Sequence, residues 1–229
     1  MTAPLFYAPL DQDQVVLTGD DARHAAGSMR LRVGEALMVC DGAGTVATCT
    51  ATSVDRREVL ARMESVEYVE RPRELTIIQA IPKGERGDLA VELLTETGAS
   101  TIVPWASART VADWAGKESA KVERWRRVAT AAAKQSRRAW LPHIAPLLTV
   151  VPDEATFVLH EDASESLFRA ELPPGPITVV VGPEGGLADD EVAAIQGKAV
   201  RLGSEIMRTS TAGAAACVWI RGLDARGLV

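Results

Sequence analysis

Two glycine-broken segments of this chain have the make-up of a ligand site: Gly182-Pro183-Glu184-Gly185-Gly186, and Leu202-Gly203 leading through Ile206-Met207-Arg208-Thr209. Each follows a short apolar run, Ile177–Val181 in the first case and Ala199–Leu202 in the second. An apolar run that stops at glycine and gives way to helix-forming sequence reads as strand, loop and helix. Two such units in succession set two tight loops at one end of a parallel sheet, where open α/β folds bind ligands. Lacking side chains, Gly182, Gly185 and Gly186 would let backbone groups approach a ligand closely. The same spacing also describes plain connectors. It is not G-x-G-x-x-G, and no Lys-Ser/Thr follows as a phosphate loop requires, so dinucleotide or nucleoside-triphosphate binding is poorly served. Spacing names a pocket, not a ligand.

The elements that must carry these loops begin at residue 75. Leu75–Ile81 reads as a buried strand of β-branched residues, broken by Pro82-Lys83-Gly84. A helix is predicted from Arg86 to Thr97, burying Leu89, Ala90, Leu93 and Leu94, with Gly98 as its C-terminal cap. Thr101–Trp105 is the next strand. A long helix over Glu118–Ala139 buries Val122, Trp125, Val128, Ala129, Ala132 and Ser136 and turns a basic face outward. A strand at 156–160 precedes the rigid connector Pro173–Pro176. This alternation predicts an α/β fold with a parallel sheet covered on both faces. Before it, residues 1–70 read as a small β-rich domain with strands at Gln14–Leu17, Ala36–Cys40, Thr45–Thr52 and Val59–Val66. One helix, Asp20–Met29, interrupts them, with Asp20 or Asp21 as its cap. Charged Glu67–Glu74 marks the boundary, giving domains 1–70 and 75–229.

The 229 residues are 47% hydrophobic and 24% charged, ordinary for a soluble globular chain. Apolar runs are too short to span a membrane. Met1–Leu10 has neither a basic start nor an apolar core, so it is not a secretion signal. Cys40, Cys49 and Cys217 lack metal-ligand spacing and read as reduced, buried thiols. A cytoplasmic location and no bound metal are expected. The net charge of −6 is unevenly spread. Residues 71–150 carry 13 basic against 8 acidic groups, between two acidic flanks, and such local fields can steer a polyanion.

The pair GPEGGLADDEV and LGSEIMRTSTA resembles the signature of the RsmE family of ribosomal RNA methyltransferases, in the SPOUT superfamily. That family shows G-P-E-G-G and then L-G-x-x-I-L-R-x-E-T-A; here Met207 replaces Leu and Ser210 stands in place of Glu. His24 to Glu35 is similar to the family's H-x-x-x-V-L-R-x-x-x-G-E, and Lys83, Gly84, Gly98 and Pro104 match its next segment. Lys134 to Pro142 resembles E-Q-(S/C)-G-R-x-x-x-P, with Lys134 for Glu and Arg137 for Gly. The family's early Arg-Phe pair is absent, since Leu5 precedes Phe6.

The resemblance implies a PUA-like β-barrel that grips RNA, and a SPOUT domain with a deep trefoil knot that holds S-adenosylmethionine. It further implies a homodimer that methylates N3 of a uridine in 16S ribosomal RNA, as naked RNA or in the small ribosomal subunit. Donor contacts would come from Leu159, His160 and Glu161, from Val181, Gly182, Pro183, Glu184, Gly185 and Gly186, and from Leu202, Gly203, Ile206, Met207, Thr209, Thr211 and Ala212. On its own chemistry His160, at a strand end, reads more as a local hydrogen-bonding residue than as a general base; the resemblance makes it part of the pocket wall. Arg208 is the catalytic candidate, a fixed cation beside a developing uracil anion. Arg23, Arg30, Arg32, Lys83, Lys134, Arg137 and Arg138 are the RNA contacts, or else solvated charges. Two other classes stay open: an RNA-binding module with an inactive α/β domain, and a different nucleotide-using α/β enzyme.

Overall fold

Among the described residues, the first seventy positions hold five strands, four of them foreshadowed by period-two alternation: β1 (Leu5–Tyr7), β2 (Gln14–Thr18), β3 (Ala36–Cys40), β4 (Thr45–Val54) and β5 (Glu58–Tyr68). The computed structural model describes residues 3–10 and 14–227; residues 1–2, 11–13 and 228–229, at the ends of the expected domains and of the Met1–Leu10 stretch, lie outside the described residues. The strands form one curled mixed sheet in the order β1-β3-β4-β5-β2, with β1 parallel to β3 and the remaining pairs antiparallel. Register shifts between Thr48 and Cys49 and between Ala51 and Ser53 bend the long strand β4. β1 escapes a reading of the sequence because three residues cannot display an alternation. Val15, Leu17, Leu37, Val39, Ala47 and Val59 fill the core of this unit.

The helix expected over Asp20–Met29 is split. α1 (Gly19–Arg23) passes into a π turn, His24–Ser28, in which the Met29 N–H donates to the His24 carbonyl at 3.0 Å. Thr18 is the N-cap residue, not Asp20 or Asp21. Both aspartates are engaged elsewhere, Asp20 by Arg23 and Asp21 by Lys134.

The chain divides into two compact units, Met1–Pro72 with Ala133–Leu141, and Arg73–Ala132 with Pro142–Val229. The segment Ala133–Leu141 therefore packs with the first unit, although its position in the sequence falls within 75–229. Tyr7 Oη donates to the Arg138 carbonyl at 2.5 Å, Cys40 Sγ to the Ala139 carbonyl at 3.2 Å, and the Trp140 indole to the Val69 carbonyl at 3.0 Å. Gly44, at φ +98, lies flush against Trp140, whose ring a Cβ there would approach to 2.6 Å. Burial pushes the Tyr7 hydroxyl well above its ordinary pKa, and the Cys40 thiol follows in the same direction.

The second unit follows the predicted alternation except for one added two-residue strand: β6 (Leu75–Ala80), α2 (Arg86–Glu96), β7 (Thr101–Trp105), α3 (Glu118–Gln135), β8 (His143–Ile144, the added strand), β9 (Glu154–Leu159), β10 (Ile177–Val181), α4 (Asp189–Ala194), β11 (Gln196–Val200) and α5 (Thr209–Asp224). All six strands run parallel, in the order β11-β9-β10-β6-β7-β8. Successive side chains feed opposite faces. Ile77, Phe157 and Val179 join the core that includes Val91, Trp125 and Ile220, while Ile78, Val158 and Val180 join Leu187 and Ile195.

Several boundaries and faces differ from expectation: β9 starts at Glu154, and β11 runs Gln196–Val200 where Ala199–Leu202 was expected. α2 buries Ala90, Val91 and Leu94, leaving Leu89 40% exposed. α3 stops at Gln135, short of Ala139, and Arg137 turns the chain at φ +57. Ser136 is consequently exposed rather than part of the buried stripe. α5 lies close over β6 and α2 because residue 213 is glycine; a Cβ there would stand 2.9 Å from Leu94 Cδ2 and 3.3 Å from Gln79 Oε1. At the other end of α5, Arg221 donates to the carbonyls of Gly98 at 2.7 Å and Arg73 at 2.8 Å, tying the helix to the starts of β6 and β7.

Candidate functional site

The carboxyl ends of β9, β10 and β11 open into one cavity of about 310 Å³. Three stretches far apart in sequence line it: Leu159, His160 and Glu161; Val181 to Leu187 without Gly185; and Val200 to Thr209, with Ala212 behind them. This is the crevice outside the strand ends where open α/β sheets take ligands. Of the residues expected in the site, Gly185 and Thr211 do not line it. The Gly185 carbonyl accepts from Arg109 Nη1 at 3.0 Å, and a Cβ at Gly185 would meet the Arg109 side chain. Thr211 Oγ1 donates back to the Arg208 carbonyl at 3.1 Å. Leu187, Val200, Arg201, Ser204 and Glu205 line the cavity without having been expected there. Their signal was position alone, since all five are contiguous with the two loops.

The loops are held by named contacts. Gly182 lets its loop fold back, because a Cβ would come 3.0 Å from Leu187 Cγ. Glu184 Oε1 accepts the Lys83 backbone N–H at 3.0 Å, fastening the loop after β10 to the one after β6. Glu191 is 2% exposed, and its carboxylate accepts the N–H groups of Ala188 at 3.0 Å and Ala108 at 2.8 Å. Buried carboxylate oxygens are tolerated when so bonded. Outside the lining, buried Gln79 donates to the Thr209 carbonyl and fixes the start of α5.

His160 is tied locally. Its N–H donates to the Val200 carbonyl at 3.0 Å, and its Nδ1 accepts the Asp162 N–H at 3.2 Å. The neutral ring therefore carries its proton on Nε2. Arg208 occupies the N-cap position of α5 and is exposed at the cavity wall, with no ion pair among the described residues. Apolar Leu159, Val181, Leu187 and Leu202, set among strand-end backbone groups, suit a planar base. Glu161, Glu184 and Glu205 outnumber Arg201 and Arg208, so the lining favours a ligand with positive charge. Among the described residues, no group of three or more His, Cys, Asp or Glu is placed to hold a metal ion.

The expected RNA contacts fall elsewhere. Arg23, Arg30, Arg32, Lys134, Arg137 and Arg138 all belong to the first unit, and only Lys83 belongs to the second. Arg23 pairs with Asp20; Lys134 Nζ meets Asp21 Oδ1 at 2.6 Å, with both side chains about three-quarters buried (28% and 26% exposed). Arg137 donates to the Ala3 carbonyl at 3.0 Å. Arg30, at φ +55, and Arg32 are exposed, while Arg138 is half-buried.

A parallel α/β domain with glycine loops around a cavity at its strand ends, together with a small mixed-sheet unit, defines a two-unit α/β ligand-binding protein. The family described as RNA methyltransferase domain matches residues 69–221, and that described as RNA methyltransferase PUA domain matches residues 17–64. Ribosomal RNA small subunit methyltransferase E of Mycobacterium bovis is 42% identical, covering 94% of this chain and 90% of its own length. The protein of the same name from Bacillus subtilis is 32% identical over 86% of this chain and 85% of its own. A crystal structure of ribosomal RNA small subunit methyltransferase E from Neisseria gonorrhoeae bound to S-adenosyl methionine superposes with a TM-score of 0.85 at 26% identity, covering 97% of this chain and 98% of that one. The chain belongs to the ribosomal RNA small subunit methyltransferase E (RsmE) family.

Proposed function

We propose that this protein transfers a methyl group from S-adenosylmethionine to N3 of a uridine in 16S ribosomal RNA. The observation that carries the reading is the convergence of both family motifs on one cavity at the carboxyl edge of a parallel sheet. The donor fits the lining: apolar walls and strand-end backbone for its adenine, and the carboxylates of Glu161, Glu184 and Glu205 for its cationic part. When bound, it supplies an electrophilic methyl on a sulfonium. The chain's own residues do the rest. Uracil N3 carries a proton at neutral pH, and that proton is released to solvent water. The N3–methyl bond forms as the sulfur–methyl bond breaks, leaving the neutral thioether S-adenosylhomocysteine, while the developing anion spreads over two carbonyl oxygens. Arg208, fixed at the start of α5, stabilises that charge electrostatically without taking the proton. The glycine loop and the Ile206–Met207 segment hold donor and base in line, and proximity supplies much of the acceleration.

Domain 1–70 serves as a PUA-like barrel that grips RNA, with Arg30 and Arg32 as its open cations, and 75–229 as the SPOUT domain with its deep trefoil knot. Family membership supports both assignments, as it does a homodimer and a cytoplasmic setting for ribosomal RNA. Val218, 58% exposed on α5, suits a face covered by a second copy.

A second reading, an RNA-binding module with an inactive α/β domain, has one observation behind it. Ser210 replaces the motif's Glu, is buried, and its hydroxyl has no hydrogen-bond partner among the described residues. Calorimetry with S-adenosylmethionine, with NAD and ATP as controls, followed by methyl incorporation into 16S RNA and small subunits, separates the two. Saturable donor binding with incorporation supports the methyltransferase; RNA binding without either supports the module.

A further inference from the structure

Beside the donor cavity lies a groove of about 500 Å³ that shares Arg201, Gly203 and Ser204 with the cavity wall. Its other side is the segment Ser164 to Arg169, which ends in a short 3-10 turn, Leu167–Arg169. Backbone bonds join the two sides: the Leu167 N–H donates to the Arg201 carbonyl at 2.8 Å, and the Arg201 N–H to the Glu165 carbonyl at 2.9 Å. Glu165 is the one acid lining the groove, and it is ion-paired to Lys198 at 2.5 Å. Arg169 and Arg201 make no ion pair among the described residues, so their charges face the groove uncompensated. Phe168, 44% exposed, lines the same space, its ring held edge-on against Trp219 at 5.1 Å.

Two unpaired guanidinium groups, serine hydroxyls and an aromatic face in one groove match a nucleotide. Arginine binds phosphate bidentately, and an aromatic ring accepts any base by stacking. An adjoining position matters as much as the chemistry, because a strand whose target base enters the cavity must lay its neighbour alongside. We propose that this groove binds the nucleotide next to the methylated one, with Arg169 and Arg201 on its phosphodiester and Phe168 against its base. The inference rests on the reading of the cavity as a methyl-donor site for RNA.

The test is filter binding of a 16S RNA transcript across a series of KCl concentrations, with donor affinity read in parallel by calorimetry. Arg169→Ala is expected to weaken RNA binding about fivefold and to flatten the salt slope by about 0.7, one phosphate contact to a single strand. Donor affinity stays within about twofold, which also shows that the variant is folded. Arg169→Lys recovers part of the loss, and Phe168→Leu weakens RNA binding with the salt slope unchanged. Unaltered RNA affinity and slope in Arg169→Ala would overturn the groove while leaving the proposed function standing. A wild-type protein with no affinity for RNA would sink both. Intact RNA binding with a changed oligomeric mass would assign the groove to a protein contact and equally overturn the proposal.

Discussion

The side-chain amide of Gln79 donates to the carbonyl of Thr209 at 3.1 Å, joining β6 to the first residue of α5 across 130 positions of sequence. Gln79 is 1% exposed and Thr209 6%, so the bond is made away from water. Gln79→Leu removes a second, side-chain hydrogen bond from a carbonyl that also serves the first turn of α5, at an expected cost of about 0.5–1.5 kcal/mol. Donor affinity should fall with it, because Ile206 to Arg208 lose their anchor. Urea unfolding and calorimetry on the same variant check both; wild-type values in each would show that α5 does not depend on this contact.

Two glycines predict opposite outcomes. At Gly213 a methyl would press on Leu94, Gln79 and Ile77, so Gly213→Ala is expected to destabilise by about 1–3 kcal/mol. At Gly203 an added Cβ meets nothing within 4 Å, and Gly203→Ala should change stability by less than about 0.5 kcal/mol. Thermal melts distinguish them.

If Arg208 stabilises the uracil anion, Arg208→Ala should lower the single-turnover methylation rate about 10²–10³-fold. The donor dissociation constant should stay within about twofold. A matching loss in donor affinity would make Arg208 a binding residue instead. Arg208→Lys, which keeps the charge but loses the planar fork, should recover only part of the rate.

Alkaline pH should loosen the first unit. Burial, reinforced by the charge of Glu64, pushes the Cys49 thiol from an ordinary value near 9 up to about 11. The folded state then holds a proton that the unfolded state releases. Stability is full below pH about 9 and declines as pH rises toward about 11. Tyr7 and Cys40, both raised, act in the same sense. Urea midpoints measured from pH 8 to 11 should fall, and Cys49→Ala should flatten the decline. Equal slopes in the two proteins would remove Cys49 as a cause.

What the sequence disclosed depended on how far each feature reaches. Strands buried on both faces are unbroken apolar runs, so β7 and β10 were legible to the residue. α2 offers two rival stripes, through Leu89 and Leu93 or through Val91 and Leu94, and only the sheet beneath it decides for the second. Gly185 and Gly186 are neighbours in one motif, yet backbone direction turns the first toward Arg109 and leaves the second on the cavity. The largest surprise, the placement of Ala133–Leu141, rests on bonds to Tyr7 and Cys40 about a hundred positions away. No local pattern encodes those.

That same segment limits how the protein can be taken apart. The chain leaves the first unit at Pro72 and returns to it for Ala133–Leu141 before departing again. A gene fragment ending at the first crossing would encode Tyr7, Cys40 and Val69 without the carbonyls and indole that satisfy them. The complementary fragment would carry a stranded loop bearing Trp140. Neither half is a cassette that recombination could move by a single crossover, so the two units are expected to be inherited together and to vary together.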